Sequence, residues 1–145
     1  MPEILSTNVN IKKLNPNATI PTYGSEYAAG ADLYACIEDA LTIAPGETVL
    51  VKTGLAMELP IGYAGLIYAR SGLAPANKVG VIDSDYRGEV MVALHNHSSI
   101  DQTIEPNERI AQLVITPYIK GIFSETNDLS DTIRGEGGFG STGKK

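Results

Sequence analysis

A cluster of anion-binding groups occurs where one β-rich run of the sequence ends, at Arg70-Ser71-Gly72. The guanidinium, the hydroxyl and the exposed backbone N–H groups of this cluster are all hydrogen-bond donors, and phosphate oxygens accept from each of them. The cluster therefore predicts a local phosphate site. A salt bridge from Arg70 beside a helix cap is the alternative interpretation.

Asp83 lies at the end of the apolar run Gly80–Ile82, in a segment that predicts a hairpin. A carboxylate at such a position can be partly desolvated and can act as a general base. Capping of the turn is the alternative role for Asp83. Tyr86, three residues further on, can pack its ring flat against a ligand or simply cover the core.

Two further polar residues stand among apolar neighbours. Asp32 follows the flexible Gly30 by two positions, and Gln112 lies within the apolar run 109–113. A small β-domain does not need these polar groups for packing. Asp32 is therefore a candidate acid of the same site, and Gln112 is either an ordinary surface amide or a ligand donor.

The segment 124–145 is polar, and its part 134–143 contains five glycines in ten positions. Core burial cannot offset the ordering entropy of such a segment, so it predicts a mobile tail that can close as a lid over a ligand. Phe139, one of two phenylalanines in the chain, is either exposed by accident or stacks on a flat ligand such as a nucleobase. The tail residues that can bind phosphate beside it are Arg134, Ser141 and Thr142.

Short β-rich runs separated by turn residues must position these groups. The 145 residues include 15 Gly and 8 Pro, an excess typical of turn-rich all-β chains. No apolar pattern of helical period extends beyond two turns, and only one short helical turn is expected, after Ser71. A single domain is predicted. The expected strands cover residues 37–43, 48–53, 64–68, 89–94 and 111–118.

The balance of charge limits the kinds of partner. A net charge of −6 provides no global attraction to a nucleic-acid backbone, so any phosphate site must be local. The sequence has no apolar run of transmembrane length and no signal-peptide pattern at its start. We therefore expect a cytoplasmic protein, or a nuclear one in a eukaryotic or viral setting, with no nucleic-acid or membrane partner.

Taken together and in this order, the stretches resemble the five motifs of the trimeric dUTPase family. The resemblance implies an all-β fold, a distorted jelly roll or barrel-like sandwich, assembled as a homotrimer whose active sites are each built from all three chains. Residues 1–123 would form the jelly-roll domain. Residues 124–145 would form a mobile arm that closes over the active site of a neighbouring subunit. The motifs cover residues 29–35, 70–74, 77–89, 109–113 and 134–143.

The resemblance also implies hydrolysis of dUTP to dUMP and pyrophosphate, which prevents uracil incorporation into DNA and supplies dUMP for dTMP synthesis. Asp83 would deprotonate the water that attacks the α-phosphorus, and Mg²⁺ would be the cofactor, bound mainly through substrate phosphates and waters. Asp32 would hold Arg70 or a metal-bound water. Gln112 would make a further water-mediated contact to the metal.

The binding roles implied by the resemblance divide the site into three parts. The phosphates would be bound by Arg70, Ser71, Gly72 and Gln112. The base and the sugar would be recognised by Asn77, by the backbone of Gly80 and Ile82, and by Tyr86, which would stack under the deoxyribose and exclude a ribose 2′-hydroxyl. The closing arm would contribute Arg134, Phe139, Gly140, Ser141 and Thr142.

Two alternatives have different chemistry. A dCTP deaminase-like enzyme would share the fold and parts of the motif set, and a non-catalytic β-trimer would only bind partners. The sequence departs from the commonest family pattern at Ala69, where proline is frequent, and Arg87 stands at a position that varies. Neither residue is expected to touch a group with a chemical role.

Overall fold

The computed structural model describes residues 3–70, 72–73 and 79–139, and this part of the chain contains strands and turns but no helix. None of its elements is therefore a helix long and apolar enough to cross a membrane. The ten strands are β1 (Asn10–Lys13), β2 (Thr22–Tyr23), β3 (Ala31–Tyr34), β4 (Leu41–Ile43), β5 (Thr48–Glu58), β6 (Tyr63–Ala69), β7 (Gly80–Ile82), β8 (Glu89–His95), β9 (Gln102–Ile104) and β10 (Arg109–Pro117).

The strands form three antiparallel sheets. One sheet has five strands in the order β2-β3-β10-β6-β7, the second has the order β1-β5-β8, and the third pairs β4 with β9. Most neighbours in these sheets are distant in sequence, as in β1 with β5 and in β3 with β10. This connectivity confirms the predicted all-β class and is consistent with a jelly-roll-like sandwich.

The hydrophobic core lies between the sheets. Alternate residues of β3 and β8 are buried, as expected for strands with one face on a core. The core residues from the five-stranded sheet include Leu33, Ile67 and Leu113, those from the three-stranded sheet include Val51 and Val92, and the small sheet adds Ile43 and Ile104.

A buried asparagine joins the small sheet to the loop after β8. Asn96 is fully buried, and its Nδ2 donates to the carbonyl oxygens of Ile43 and Ile100 at 2.8 and 2.7 Å. Its Oδ1 accepts from the backbone N–H and the hydroxyl of Ser98 at 2.9 and 2.7 Å. The amide is thus fully satisfied, which makes it a strong polar link inside the fold.

The predicted strands are found, with different ends. β5 runs on to Glu58, because Gly54 adopts a left-handed φ of 71° and lets the strand pass an irregularity between Lys52 and Ala56. The run predicted from residue 37 is a strand only at β4, and the exposed residues 38–40 precede it as irregular chain.

Candidate active site

A cleft of about 570 Å³ lies at the end of β6 and the start of β10. Its floor follows the sheet: Gln112 is paired in register with Asp32 on β3 and with Tyr68 on β6. Residues directly opposite each other in antiparallel strands point to the same face, so these three side chains form a row. The lining residues are Asp32, Tyr68, Ala69, Arg70, Arg109, Ala111 and Gln112.

Arg70 reaches this cleft from the position just after β6. Its Nη1 donates to Oε2 of Glu108, whereas Asp32 faces Arg109 with 3.9 Å between Oδ2 and Nη1. Of the two roles expected for Asp32, the contact to Arg70 is wrong, since Glu108 holds Arg70, and the contact to a metal-bound water stays a prediction. The salt bridge considered for Arg70 exists, but it joins the end of β6 to the turn before β10 instead of capping a helix.

Glu108 was not among the residues expected in the site. A signal for it is present, because the turn at Pro106-Asn107 ends in an acid, and Oε1 of Glu108 accepts the backbone N–H of Glu105 at 2.8 Å. Burial raises the pKa of Glu108, but the hydrogen bond from Glu105 and the Arg70 guanidinium outweigh burial. The net pKa lies below the ordinary value of 4.5, so Glu108 is an anion at neutral pH.

Gln112 packs closely against the backbone of Gly30. A Cβ added at Gly30 would lie 2.7 Å from Oε1 and 2.9 Å from Cβ of Gln112. The two motifs therefore fit together only because residue 30 has no side chain. Gly30 is thus a determinant of the position of the carboxamide in the cleft.

A second cleft, of about 260 Å³, lies beside β7 and the turn that follows it. β7 is an edge strand that pairs with β6, and among the described residues no strand pairs with its other side. Backbone donors and acceptors on such a side can bind a ligand. The lining residues are Leu50, Ile67, Gly80, Val81, Ile82, Asp83, Tyr86, Glu89, Val90 and Met91.

Asp83 occupies the first position of the turn after β7, where its carbonyl oxygen accepts the N–H of Tyr86 at 3.1 Å. Its side chain is exposed in the single chain. The predicted partial desolvation of Asp83 is therefore not a property of one chain alone. A ligand or a second chain would have to supply it.

Arg87 braces this turn, contrary to the expectation that it touches no group with a chemical role. Its Nη1 donates to the carbonyl oxygens of Ser84 and Tyr86 at 2.6 and 3.2 Å, and its Nη2 donates to Glu58 on β5 at 3.2 Å. A hydrogen bond from Asn10 lowers the pKa of Glu58, and the charge of Arg87 lowers it further. The turn is thus tied to β5 and, through β5, to β1.

The two clefts have no lining residue in common. Tyr68 lines the first cleft, and the preceding residue, Ile67, lines the second. Arg70 thus belongs to the first cleft and Asp83 to the second.

The described part of the tail, up to Phe139, contains no helix or strand and is mostly exposed. Arg134 donates through Nε to the carbonyl of Gly137, and the side chain of Phe139 is fully exposed. Gly72 is exposed with a left-handed φ of 87°. Five expected site residues lie outside the described residues: Ser71, Asn77, Gly140, Ser141 and Thr142. So does most of the segment in which a helical turn was expected.

Comparisons with known proteins identify the family of this chain. The dUTPase family model matches residues 16–143. The deoxyuridine 5′-triphosphate nucleotidohydrolase of Nautilia profundicola is 52% identical over 142 residues, which cover 94% of this chain and 99% of that protein.

Solved structures of phage dUTPases have the same fold. The dUTPase of Staphylococcus bacteriophage 80alpha with dUpNHpp has a TM-score of 0.82 at 28% identity, and the match covers 94% of this chain and 98% of that one. A mutant dUTPase from phage phi11 of S. aureus, described with a structural Mg(II) ion, has a TM-score of 0.75 over 86% of this chain and all of that one. Its 22% identity shows the fold alone. Since the family model matches nearly the whole chain and a relative of full length is 52% identical, the chain belongs to the dUTPase family.

Proposed function

We propose that this chain hydrolyses dUTP to dUMP and pyrophosphate, with Asp83 as the general base. The reaction follows from membership of the dUTPase family. The observation that supports the role of Asp83 is its position: an exposed carboxylate at the end of edge strand β7, beside Tyr86 in a cleft. There it would take a proton from a water as that water attacks the α-phosphorus in line with the leaving pyrophosphate.

The first cleft would bind the triphosphate. The Arg70 guanidinium keeps donors besides the one given to Glu108, and a planar fork of this kind matches phosphate oxygens. Gln112 would add a carboxamide donor from the floor of the cleft. Because Glu108 orients Arg70 before substrate arrives, less conformational entropy is lost on binding.

The donor set of this cleft fits Mg²⁺ bound mainly through substrate and water. Among the described residues there is no group of three acidic, histidine or cysteine side chains that could enclose a metal. Asp32 and Gln112 stand opposite each other in register and would hold metal-bound waters. When bound to the triphosphate, Mg²⁺ would neutralise charge that develops on its oxygens.

The second cleft would recognise the base and the sugar. Gly80 and Ile82 line this cleft on edge strand β7, and their backbone would recognise the edge of uracil. The Tyr86 ring stands beside that strand and would pack under the deoxyribose. A ribose 2′-hydroxyl would meet this ring, which is the proposed basis of selectivity against UTP.

We propose further that the active protein is a homotrimer with shared sites. Arg70 and Asp83 line two different clefts of one chain, so a site that uses both would combine clefts of neighbouring chains. The arm and the residues that join it to β10 support the same conclusion, because large apolar side chains along them are at least 85% exposed and need a surface to cover them. These are Ile119, Ile122, Phe123, Leu129, Ile133 and Phe139.

Turnover of a nucleotide panel tests the reaction and the role of Asp83 together. The purified protein is incubated with Mg²⁺ and dUTP, dCTP, dTTP or UTP, and products are separated by ion-pair chromatography. Asp83→Asn is expected to lower kcat on dUTP by about 10²-fold or more. Asp85→Asn, an exposed carboxylate on the same turn, is the control and should retain turnover. Near-normal turnover by Asp83→Asn would remove Asp83 from the mechanism, and deamination of dCTP would favour the deaminase alternative.

Subunit mixing tests the shared site. A chain that ends after Leu129 lacks the arm, and Asp83→Asn lacks the base, so each homotrimer should be weakly active. In mixed trimers, the arm of one subunit can close over an intact Asp83 of another, and part of the activity should return. Exchange is confirmed by mass spectrometry of the mixed trimers. If exchange occurs and activity does not return, the sites are not shared in this way.

A further inference from the structure

The Tyr86 ring lies against a position that has no side chain. A Cβ added at Gly88 would be 2.5 Å from Oη, 2.7 Å from Cζ and 2.9 Å from Cε1 of Tyr86. Ordinary contact begins near 3.4 Å, so an alanine would push the hydroxyl end of the ring by about 0.9 Å. The ring can occupy its observed place only because residue 88 is glycine.

Two hydrogen bonds also hold Tyr86 in place. The hydroxyl of Tyr86 donates to the carbonyl oxygen of Glu89 at 2.8 Å, and the carbonyl of Tyr86 accepts from Arg87 at 3.2 Å. A ring displaced from Gly88 would stretch or lose the hydrogen bond to Glu89. It cannot therefore move aside without a change in its contacts to the hairpin.

The backbone conformation of Gly88 does not itself require a glycine. Its φ lies outside the left-handed region, unlike those of Gly54 and Gly72. An alanine at this position is thus compatible with the local chain. The three nearest atoms that an added Cβ would meet all belong to the Tyr86 ring.

We propose that Gly88 is a specificity-determining position, which sets the discrimination between deoxyribose and ribose by seating the Tyr86 ring. The proposal rests on the proposed contact of Tyr86 with the sugar. Gly88 itself touches no substrate and acts by positioning. A larger residue would shift the surface on which the sugar packs, so the preference for dUTP over UTP would fall.

The test measures kcat/KM for dUTP and for UTP with Mg²⁺ in four variants of the full chain. Gly88→Ala is expected to lower the dUTP/UTP ratio of kcat/KM about tenfold, since displacements of this size at a site are costly. Gly24→Ala is the matched control, because its Cβ would meet nothing within 4 Å and its φ is also outside the left-handed region, so its ratio should not change. Tyr86→Ala and the double variant complete a mutant cycle in which Gly88→Ala should have no effect once the ring is absent.

Each outcome separates the proposal from the function on which it rests. A wild-type protein that does not hydrolyse dUTP refutes the proposed function. A ratio unchanged in Tyr86→Ala refutes the sugar contact and the role of Gly88 with it. A ratio lowered in Tyr86→Ala but unchanged in Gly88→Ala, including UTP turnover that stays below detection, refutes the role of Gly88 alone.

Folding gives an independent readout of the same contact. If Gly88→Ala does not fold, as judged by circular dichroism, the double variant decides. A folded double variant with the ring removed supports the steric conflict between Cβ and ring. A double variant that also fails to fold overturns the proposal, because the defect would then lie in the backbone.

Discussion

Glu108→Gln is expected to loosen Arg70 and to lower stability by about 1 kcal/mol at neutral pH. The pair is only partly shielded, with side chains 37% and 24% exposed, so the estimate follows the upper end for surface ion pairs. For a domain of this size, about 1 kcal/mol corresponds to a decrease in Tm of about 2–4 °C. Glutamine keeps the shape and can still accept the N–H of Glu105 through its one oxygen, but its NH2 then faces Arg70, so the variant loses both the charge and the hydrogen bond to Arg70.

The pH dependence of this loss has a definite sign. The folded-state pKa of Glu108 is below its ordinary value of 4.5, so folding favours the carboxylate and its stabilisation is fully present above about pH 4.5. Below that value the stabilisation is lost as the pH falls through the folded-state pKa. The difference in Tm between wild type and Glu108→Gln should be constant at neutral pH and shrink towards zero in acid.

Thermal denaturation followed by circular dichroism across this pH range is the assay. Other groups titrate in both proteins and cancel in the difference. Glu105→Gln removes an exposed carboxylate from the same turn while keeping the backbone donor, so it should show no comparable loss. A Tm difference for Glu108→Gln that is equal at about pH 3.5 and about pH 7 would refute the ionic origin of the stabilisation. The same variant should lower kcat/KM for dUTP about tenfold, because Arg70 is no longer held for phosphate.

Three further variants separate stability from function. Asn96→Ala should reduce the free energy of unfolding by about 3 kcal/mol in a urea titration, because it leaves buried carbonyl groups without a donor. Gly30→Ala should raise KM for dUTP with a smaller change in kcat, because its Cβ displaces Gln112; an unchanged KM would show that the carboxamide does not bind substrate. Phe139→Ala should lower kcat/KM about tenfold without changing Tm, since the ring is fully exposed against the described part of its own chain, and a clear loss of Tm would show that the arm is structural.

Local patterns in the sequence predicted the longer strands and missed most of the short ones. β6, β8 and β10 are runs of seven to nine residues rich in β-formers, and their positions were expected to within a few residues. β2 has two residues and exists only through its pairing with β3. Such a strand carries no periodic signal, because its partner is set by the fold.

In the candidate site, too, contacts between residues close in sequence could be predicted, whereas contacts between distant residues could not. The turn of Asp83 and Tyr86 follows from residues adjacent in sequence. The partner of Arg70 lies 38 positions away in the sequence. From the sequence alone, Arg70 could have paired with either Glu108 or Asp32. Only the register of β10 against β3 and β6 decides between them, and register is a property of the whole sheet.

The residues discussed above fall into two groups: those whose contacts are complete within one chain, and those that need a ligand or a neighbouring chain. The core, the Asn96 link and the Arg70–Glu108 pair are complete within one chain. The exposed Asp83 and the apolar arm are not, since neither is enclosed by the part of its own chain that the structure describes. Substitutions in the first group should therefore lower stability, whereas substitutions in the second group should lower turnover at unchanged Tm. The proposed trimer accounts for this difference, because residues that are exposed in one chain would complete the sites of its neighbours.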